Sequence, residues 1–262
     1  ASKYYVIWQG RETGIFNDWA TCKKHIDHFP GARYKSFKTQ AEAESAFSGR
    51  SSASGKPVSS RSASGKSMSS KAGAKKNTIK TYTAAEVDTL NATIKIFTDG
   101  GCEPNPGEAG SGVAVYHDSK VESLWYGLYN PMGTNNTAEL SALFEALKMA
   151  QQIVKKGESV AIFCDSKYSI QCVTQWAAGW QKKGWKKAGG EIKNLELIKQ
   201  MFALYQELKS SIKVLHVNGH VGVEGNELAD RMSILAMESK EKTFKRYSEN
   251  IDIRAILALR AG

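Results

Sequence analysis

The sequence predicts an α/β protein of two domains, a small one followed by a larger one. Three observations carry this. Segments alternating with period two, read as strands, are interleaved with apolar stripes at helical spacing on both sides of a low-complexity stretch at residues 48–76. That stretch, SGRSSASGKPVSSRSASGKSMSSKAGAKK, is rich in Ser, Gly and Ala and almost lacks large apolar groups, so it cannot bury enough surface to offset the entropy of folding. Finally, 262 residues with 41% hydrophobic and 24% charged side chains suffice for one or two compact domains. No apolar run approaches the roughly 18 to 20 residues of a bilayer span, so no membrane association is expected.

The formal charge of +10 is unevenly placed. Residues 48–76 hold seven Lys/Arg and no acid, whereas residues 77–262 hold 22 against 21. The basic segment reads as a flexible linker, with loose attraction to a polyanion as an added role. Cys22, Cys102, Cys164 and Cys172 show neither C-x-x-C spacing nor secretory context, which predicts free thiols in a reducing compartment. The N-terminus enters a strand-like run, YYVIW, without a basic-then-apolar leader pattern. The expected location is cytoplasmic, or nuclear or organellar in a eukaryote.

In the first domain, residues 1–47, a strand is predicted over Tyr4–Trp8, a polar turn over Gln9–Gly14 and a helix over Asp18–Phe29. A second strand fits Ala32–Phe37, and Thr39 caps a helix whose Ala43, Ala46 and Phe47 share one face. Tyr5, Trp19, Tyr34 and Phe37 lie among Lys23, Lys24, Arg33, Lys35 and Lys38. Rings beside cations stack on sugars and bases while the cations neutralise phosphates, and so suit a nucleic acid.

The second domain, residues 92–240, opens on I-K-I-F-T-D ending at Asp99, followed by Gly100 and Gly101 and another alternating run. A strand rather than a helix follows the glycines, which excludes a dinucleotide loop and predicts a hairpin. A third strand is expected over Leu124–Tyr129, then a helix with Leu140, Leu143, Phe144 and Leu147 on its buried stripe and Glu139 near its start. Val160–Cys164 reads as a strand ending at Asp165, with a helix through Tyr168 and Val173; Ile212–Val217 reads as the last strand, before a loop and a helix over Glu227–Met237. Residues 48–91 are taken as linker with room for a short helix near its end, and residues 241–262 as an extension with an amphipathic helix that packs on the domain or a second chain.

Four acids occupy informative places: Asp99 and Asp165 at strand ends, Glu139 and Asp230 near helix starts. Each alone fits a helix cap or a solvated carboxylate. If the first and fourth strands of the domain are neighbours, their carboxylates share one sheet edge and helices above it can present the other two. Clustered anions repel unless cations neutralise them, and hard oxygens suit Mg²⁺ or Mn²⁺. Two ions about 4 Å apart can activate water and stabilise the leaving oxygen of a phosphodiester.

The motifs T-D-G-G-C-x-x-N-P-G, T-N-N-T-A-E-L, D-S-x-Y, Q-W-x-x-G-W-x-x-K-G-W-K and G-H-x-G-x-x-G-N-E-x-A-D, over residues 93–238, together resemble the catalytic domain of type 1 ribonucleases H. The run Y-x-V-x-x-x-G-R-E-T-G-I-F-x-x-W-x-x-C with F-P-G-A-R-Y-K-S-F, over residues 4–47, resembles the hybrid-binding domain found at the N-terminus of many members. The resemblance implies a ribonuclease H-like five-stranded mixed sheet flanked by helices, and an endoribonuclease that hydrolyses the RNA strand of RNA/DNA hybrids, leaving 5'-phosphate and 3'-hydroxyl ends. It implies two Mg²⁺ ions, with Mn²⁺ as an alternative, held by Asp99, Glu139, Asp165 and Asp230, and places His220 on a mobile loop beside the scissile phosphate.

The same resemblance assigns RNA contacts to Cys102, Asn105, Asn135 and Asn136, near the 2'-hydroxyl that distinguishes RNA from DNA. Tyr168, Trp176 and Trp180 match a channel for DNA sugars, and Thr134 and Asn194 match a DNA-phosphate pocket in which Met132 replaces a common arginine. In the small domain it implies DNA contacts for Tyr5, Trp19, Tyr34 and Lys35 and an RNA contact around Arg33, with Ser36 standing where animal members often have a lysine. The stretch Gln175–Gly190 holds Lys182, Lys183, Lys186 and Lys187 and no acid, a basic handle interleaved with Trp176, Trp180 and Trp185. No protein partner is deducible. A hybrid-binding protein with an inactive nuclease domain, and a DNA-directed nuclease on the same fold, are the rival readings.

Overall fold

The structure, a computed structural model, describes residues 4–27, 29, 33–37, 39–47, 79–187, 189–219 and 222–262. The chain divides into two compact units, Ala1–Gly73 and Ala74–Gly262. The basic stretch at residues 48–76 lies outside the described residues.

The first unit comprises β1 (Tyr4–Gln9), β2 (Gly14–Phe16), α1 (Trp19–Ile26), β3 (Arg33–Phe37) and α2 (Gln40–Phe47). Its antiparallel sheet has the order β2-β1-β3. Asp18 caps α1 by accepting from the Thr21 amide at 2.8 Å. Val6 and Ile7 lie fully buried on β1, with Cys22 and Ile26 of α1 and Ala43 of α2. The residues read as a turn give way to β2, three residues that are too short to display alternation. Helix α1 stops at Ile26 rather than Phe29, because Asp27 turns to an extended conformation.

The second unit runs β4 (Thr81–Tyr82), α3 (Ala84–Thr89), β5 (Ile94–Glu103), β6 (Gly107–His117), β7 (Lys120–Gly133), α4 (Asn135–Lys155) and β8 (Val160–Cys164). It continues with α5 (Lys167–Gln171), a π-helical turn (Cys172–Trp176), α6 (Ala177–Lys182), α7 (Leu195–Leu208), β9 (Ile212–Val217), α8 (Glu224–Glu238), β10 (Lys245–Arg246) and α9 (Ile253–Leu257). The sheet order is β10-β7-β6-β5-β8-β9-β4. Its β7-β6-β5 part is antiparallel and β5-β8-β9-β4 is parallel, so the expected five-stranded mixed sheet forms the centre and a two-residue strand extends each edge.

Alternation along the strands separates two cores. Ile94 and Ile96 of β5 pack with Leu140, Leu143 and Leu147 of α4 on one face, whereas Phe97 packs with Phe163 and with Leu228 and Met232 of α8 on the other. Fully burying one such aliphatic side chain stabilises the fold by about 1.5–3 kcal/mol.

One boundary differs from expectation. The linker predicted to reach residue 91 ends earlier, since β4 pairs with β9 and α3 buries Val87 in the second core. The C-terminal extension packs on this same unit: Phe244 stacks on Trp125 at 5.9 Å, β10 pairs with β7, and Ile256 of α9 joins the second core. No helix among the described residues is long and apolar enough to cross a membrane.

Candidate active site

Register brings the first two acids together. On the parallel strands β5 and β8, Thr98 faces Cys164, so the residues that follow, Asp99 and Asp165, leave the same end of neighbouring strands. Asp99 is not at the end of its own strand, because β5 continues to Glu103 paired with β6 alone.

Two glycines let the helices deliver the other acids. A Cβ on Gly100 would lie 2.2 Å from the Glu139 nitrogen and 2.3 Å from the Ala138 carbonyl carbon, so α4 rests directly on the β5 backbone. A Cβ on Gly112 of β6 would lie 2.0 Å from the Ala229 carbonyl oxygen, so α8 approaches the opposite face as closely. Helix α8 starts at Glu224, earlier than predicted, which sets Asp230 beyond its first turn. Asp99, Glu139 and Asp230 are buried and Asp165 is half-buried.

The electrostatics follow from this crowding. Burial, then the charges of Asp165 and Asp230, hold the Asp99 carboxyl well above the ordinary carboxylate range. Burial, then Asp99 and Asp165, do the same to Glu139. The Ser233 hydroxyl lies 3.2 Å from Asp99 Oδ2 and 2.8 Å from the Asp230 carbonyl. Asp165 Oδ2 accepts from Asn226 Nδ2 at 3.4 Å. Asp230 accepts from Arg231 Nη1, and the Gly262 amide lies 3.2 Å from both of its carboxylate oxygens.

The donor set fits a hard divalent cation. Ligand atoms of Glu139, Cys164 and Asp165 lie within 4.8 Å of one another. Burial, then Glu139 and Asp165, push the Cys164 thiol up, and a hard cation prefers the carboxylate oxygens to sulfur. Each carboxylate offers about four lone-pair sites, so the protein contacts of Asp230 and Asp165 leave capacity for a cation.

The predicted substrate residues fall into three groups. Cys102 Sγ lies 3.6 Å from the Gly133 carbonyl and Asn105 Oδ1 accepts from the Asn135 amide at 3.3 Å, which gathers the β5–β6 hairpin against the start of α4, where Asn136 is exposed. Thr134 caps α4 and bonds the Thr137 hydroxyl at 2.8 Å, and that hydroxyl donates to Asn194 Oδ1 at 3.0 Å. Met132 beside them is 77% exposed and carries no charge where the resemblance implies an arginine. Tyr168, Trp176 and Trp180 form a row with centroid separations of 6.0 and 5.8 Å, and the exposed Lys182, Lys183, Lys186 and Lys187 follow. His220 lies outside the described residues.

In the first unit, Trp19 sits 5.3 Å from Tyr5 and 5.9 Å from Tyr34, with Arg33 and Lys35 exposed on β3 beside Tyr34. Trp19 and Tyr34 are 44% and 47% exposed, too open for core residues and suited to stacking.

Sequence reasoning missed Cys164, Asn226, Ser233 and His216. Asn226 stands inside the G-N-E-x-A-D motif, a signal that was available; the other three are visible only once the strands are paired. His216 is buried, its ring nitrogens 2.8 Å from Thr81 Oγ1 and 3.0 Å from the Asp165 carbonyl. Burial, then Lys167, lower its pKa and favour the neutral ring.

Comparison with known proteins supplies the family. Residues 91–238 match the family described as RNase H, and residues 3–47 match the Ribonuclease H1 N-terminal domain. Ribonuclease H1 of Mus musculus is 31% identical over 255 residues, covering 88% of this chain and 87% of its own. Ribonuclease H of Thermosynechococcus vestitus is 40% identical over 137 residues, covering 52% of this chain and 82% of its own. The crystal structure of LC9-RNase H1, a type 1 RNase H with the type 2 active-site motif, shares the fold, with a TM-score of 0.50, 22% identity, and coverage of 64% of this chain and 82% of that one. The fold and its acidic centre define a nuclease of the RNase H class. Matched along both of its units, the chain belongs to the ribonuclease H1 family.

Proposed function

We propose that the protein is an endoribonuclease that hydrolyses the RNA strand of RNA/DNA hybrids, with Asp99, Glu139, Asp165 and Asp230 as the ligands of two Mg²⁺ ions, or Mn²⁺ in their place. The observation that carries this reading is the convergence of four carboxylates, three of them buried, at one end of adjacent strands in a ribonuclease H1 chain. Burying acids together is costly without a cation, so their arrangement serves the bound state. When bound, divalent cations activate the attacking water and neutralise the leaving 3'-oxygen.

The chain's own groups do the rest. Asp99 and Asp165 would hold the cations from the sheet, and Glu139 and Asp230 from α4 and α8. Cleavage leaves the phosphate on the 5' side of the downstream fragment. His220, in the glycine-flanked run N-G-H-V-G, serves as a proton donor or acceptor at the phosphate. Cys102, Asn105, Asn135 and Asn136 face the 2'-hydroxyls of RNA, while the Tyr168–Trp176–Trp180 row packs on deoxyribose, where a 2'-hydroxyl is excluded. Thr134 and Asn194 receive a DNA phosphate, and Lys182, Lys183, Lys186 and Lys187 add non-specific attraction.

The first unit is the hybrid-binding module, with Tyr5, Trp19, Tyr34 and Lys35 on the DNA strand and Arg33 near the RNA strand. The catalytic domain, expected over residues 92–240, is read as the second unit, Ala74–Gly262, with β4, α3, β10 and α9 packed on it. Four free cysteines, three of them buried, fit the reducing compartment of the cytoplasm. Incubating labelled RNA/DNA hybrid, duplex RNA and duplex DNA with the protein and Mg²⁺ tests the reading: only the RNA of the hybrid is cut.

A further inference from the structure

The catalytic sheet carries a strand that precedes the matched RNase H region, which begins at residue 91. This strand, β4, pairs in parallel with β9, placing Thr81 opposite His216 and Tyr82 opposite Val217. The segment is firmly held. Thr83 and Glu86 form a capping box on α3, Val87 is buried against the sheet, and Lys95 of β5 donates to the Val87 and Asp88 carbonyls at 2.7 and 3.1 Å, closing the helix's C-terminal end.

Its contact with the acidic centre runs through one imidazole. The pairing of β8 ends at Cys164, opposite His216 on β9 and Thr98 on β5. The next carbonyl, that of Asp165, lies 3.0 Å from His216 Nε2. A main-chain carbonyl only accepts, so Nε2 carries a proton and donates. Nδ1 lies 2.8 Å from the Thr81 hydroxyl, which can donate or accept and so holds the ring in either protonation state. The imidazole therefore continues the sheet's hydrogen bonding one residue beyond the last ladder pair, at the residue whose side chain enters the acidic cluster. Holding that carbonyl fixes the Asp165 peptide and with it the direction in which the carboxylate leaves the strand.

We propose that Thr81 and His216 are positioning residues for Asp165, and that β4 is a working part of the catalytic site although it stands outside the matched region. The proposal rests on the reading of Asp165 as a cation ligand. Groups that orient a ligand in this way, without touching the ion, change metal affinity or activity by about 10- to 100-fold when removed.

The test uses the full chain. Thr81→Val keeps the side-chain shape and the strand pairing but removes the hydroxyl; Thr81→Ser restores it. His216→Leu removes the donor to Asp165, and His216→Gln retains an N–H at its position. Steady-state cleavage of hybrid is measured beside calorimetric titration of the substrate-free protein with Mn²⁺ alone. Thr81→Val and His216→Leu are expected to lower kcat and weaken Mn²⁺ binding by about 10- to 100-fold with KM for hybrid unchanged, while Thr81→Ser and His216→Gln recover most of both. Wild-type kcat and Mn²⁺ affinity in Thr81→Val, or no recovery in Thr81→Ser, would overturn the proposal. Asp165→Asn is run alongside: if it cleaves hybrid, the ligand reading beneath fails, whereas a dead Asp165→Asn with a wild-type Thr81→Val sinks only the role of β4.

Discussion

Thr98 of β5 stands directly across from Cys164 of β8, and this one register pair sets Asp99 beside Asp165. A slip by one residue would send each strand's side chains to the opposite face. The apolar residues flanking the pair, Phe97 and Phe163, stack at 4.9 Å in the second core and oppose such a slip.

The close approach at Gly100 predicts that Gly100→Ala is destabilising and inactivating. The added methyl meets main-chain atoms of α4, which cannot rotate away, so α4 must lift and carry Glu139 with it. The cost is expected to reach about 3 kcal/mol, the upper part of the range for overpacking. Urea unfolding gives the stability change, and hybrid cleavage the loss of activity. A variant as stable and active as wild type would mean that the helix does not rest on this glycine.

Stability of the metal-free protein should fall as pH rises. Asp99 and Glu139 have folded-state pKa values raised above their unfolded ones, chiefly by burial. The folded state therefore binds more protons, and the stability these groups contribute is complete below their unfolded values of about 3.9 and 4.3 and is lost as pH climbs through the raised values. Thermal unfolding in chelator from about pH 4 upward should show this decline, Mg²⁺ should offset it, and Asp99→Asn should flatten it. A chelator-treated wild type with the same pH profile as Asp99→Asn would contradict the clustering of these charges.

How much of this is legible in the sequence depends on the kind of signal. The strands and helices that carry Asp99, Glu139 and Asp165 are readable because Ile94 and Ile96, or Leu140, Leu143 and Leu147, repeat with a clear period over enough residues. Strands β2, β4 and β10 span two or three residues each and offer no period to read. Gly100 and Gly101 look like a turn, yet they remain within β5. Their lack of side chains serves the approach of α4 and α8, a long-range fact that local sequence does not express. The histidine in I-K-V-L-H-V looks like any strand residue, and its bond to Asp165 depends on which strands are neighbours.

Deleting residues 1–76 should leave an active enzyme that binds hybrid more weakly, since the exposed Trp19, Tyr34 and Lys35 leave with that unit. The log K against log[salt] plot should flatten by about 0.9 for every phosphate that the deleted residues neutralise, the duplex-DNA value, with a similar order for a hybrid. Unchanged slope and affinity would assign this unit a different ligand.

His220→Ala should be less damaging than any change to the acidic quartet. Removing a general acid/base lowers turnover by about 10²- to 10⁴-fold or less, with KM nearly unchanged. Steady-state and single-turnover rates of His220→Ala beside Asp99→Asn at fixed Mg²⁺ make the comparison. A histidine variant deader than the aspartate one, or unable to bind hybrid, would recast His220 as structural or metal-binding.

The central claim is that four carboxylates of a ribonuclease H1 chain hold the cations that cut RNA paired with DNA. Its most direct test is cleavage of a hybrid labelled on each strand in turn, by wild type and by Asp165→Asn, at saturating Mg²⁺ and with hybrid binding measured separately. The account predicts that wild type cuts only the RNA strand and leaves 5'-phosphate ends, while Asp165→Asn binds the hybrid and cuts neither strand. Wild-type turnover by Asp165→Asn, or cutting of the DNA strand by wild type, would contradict it.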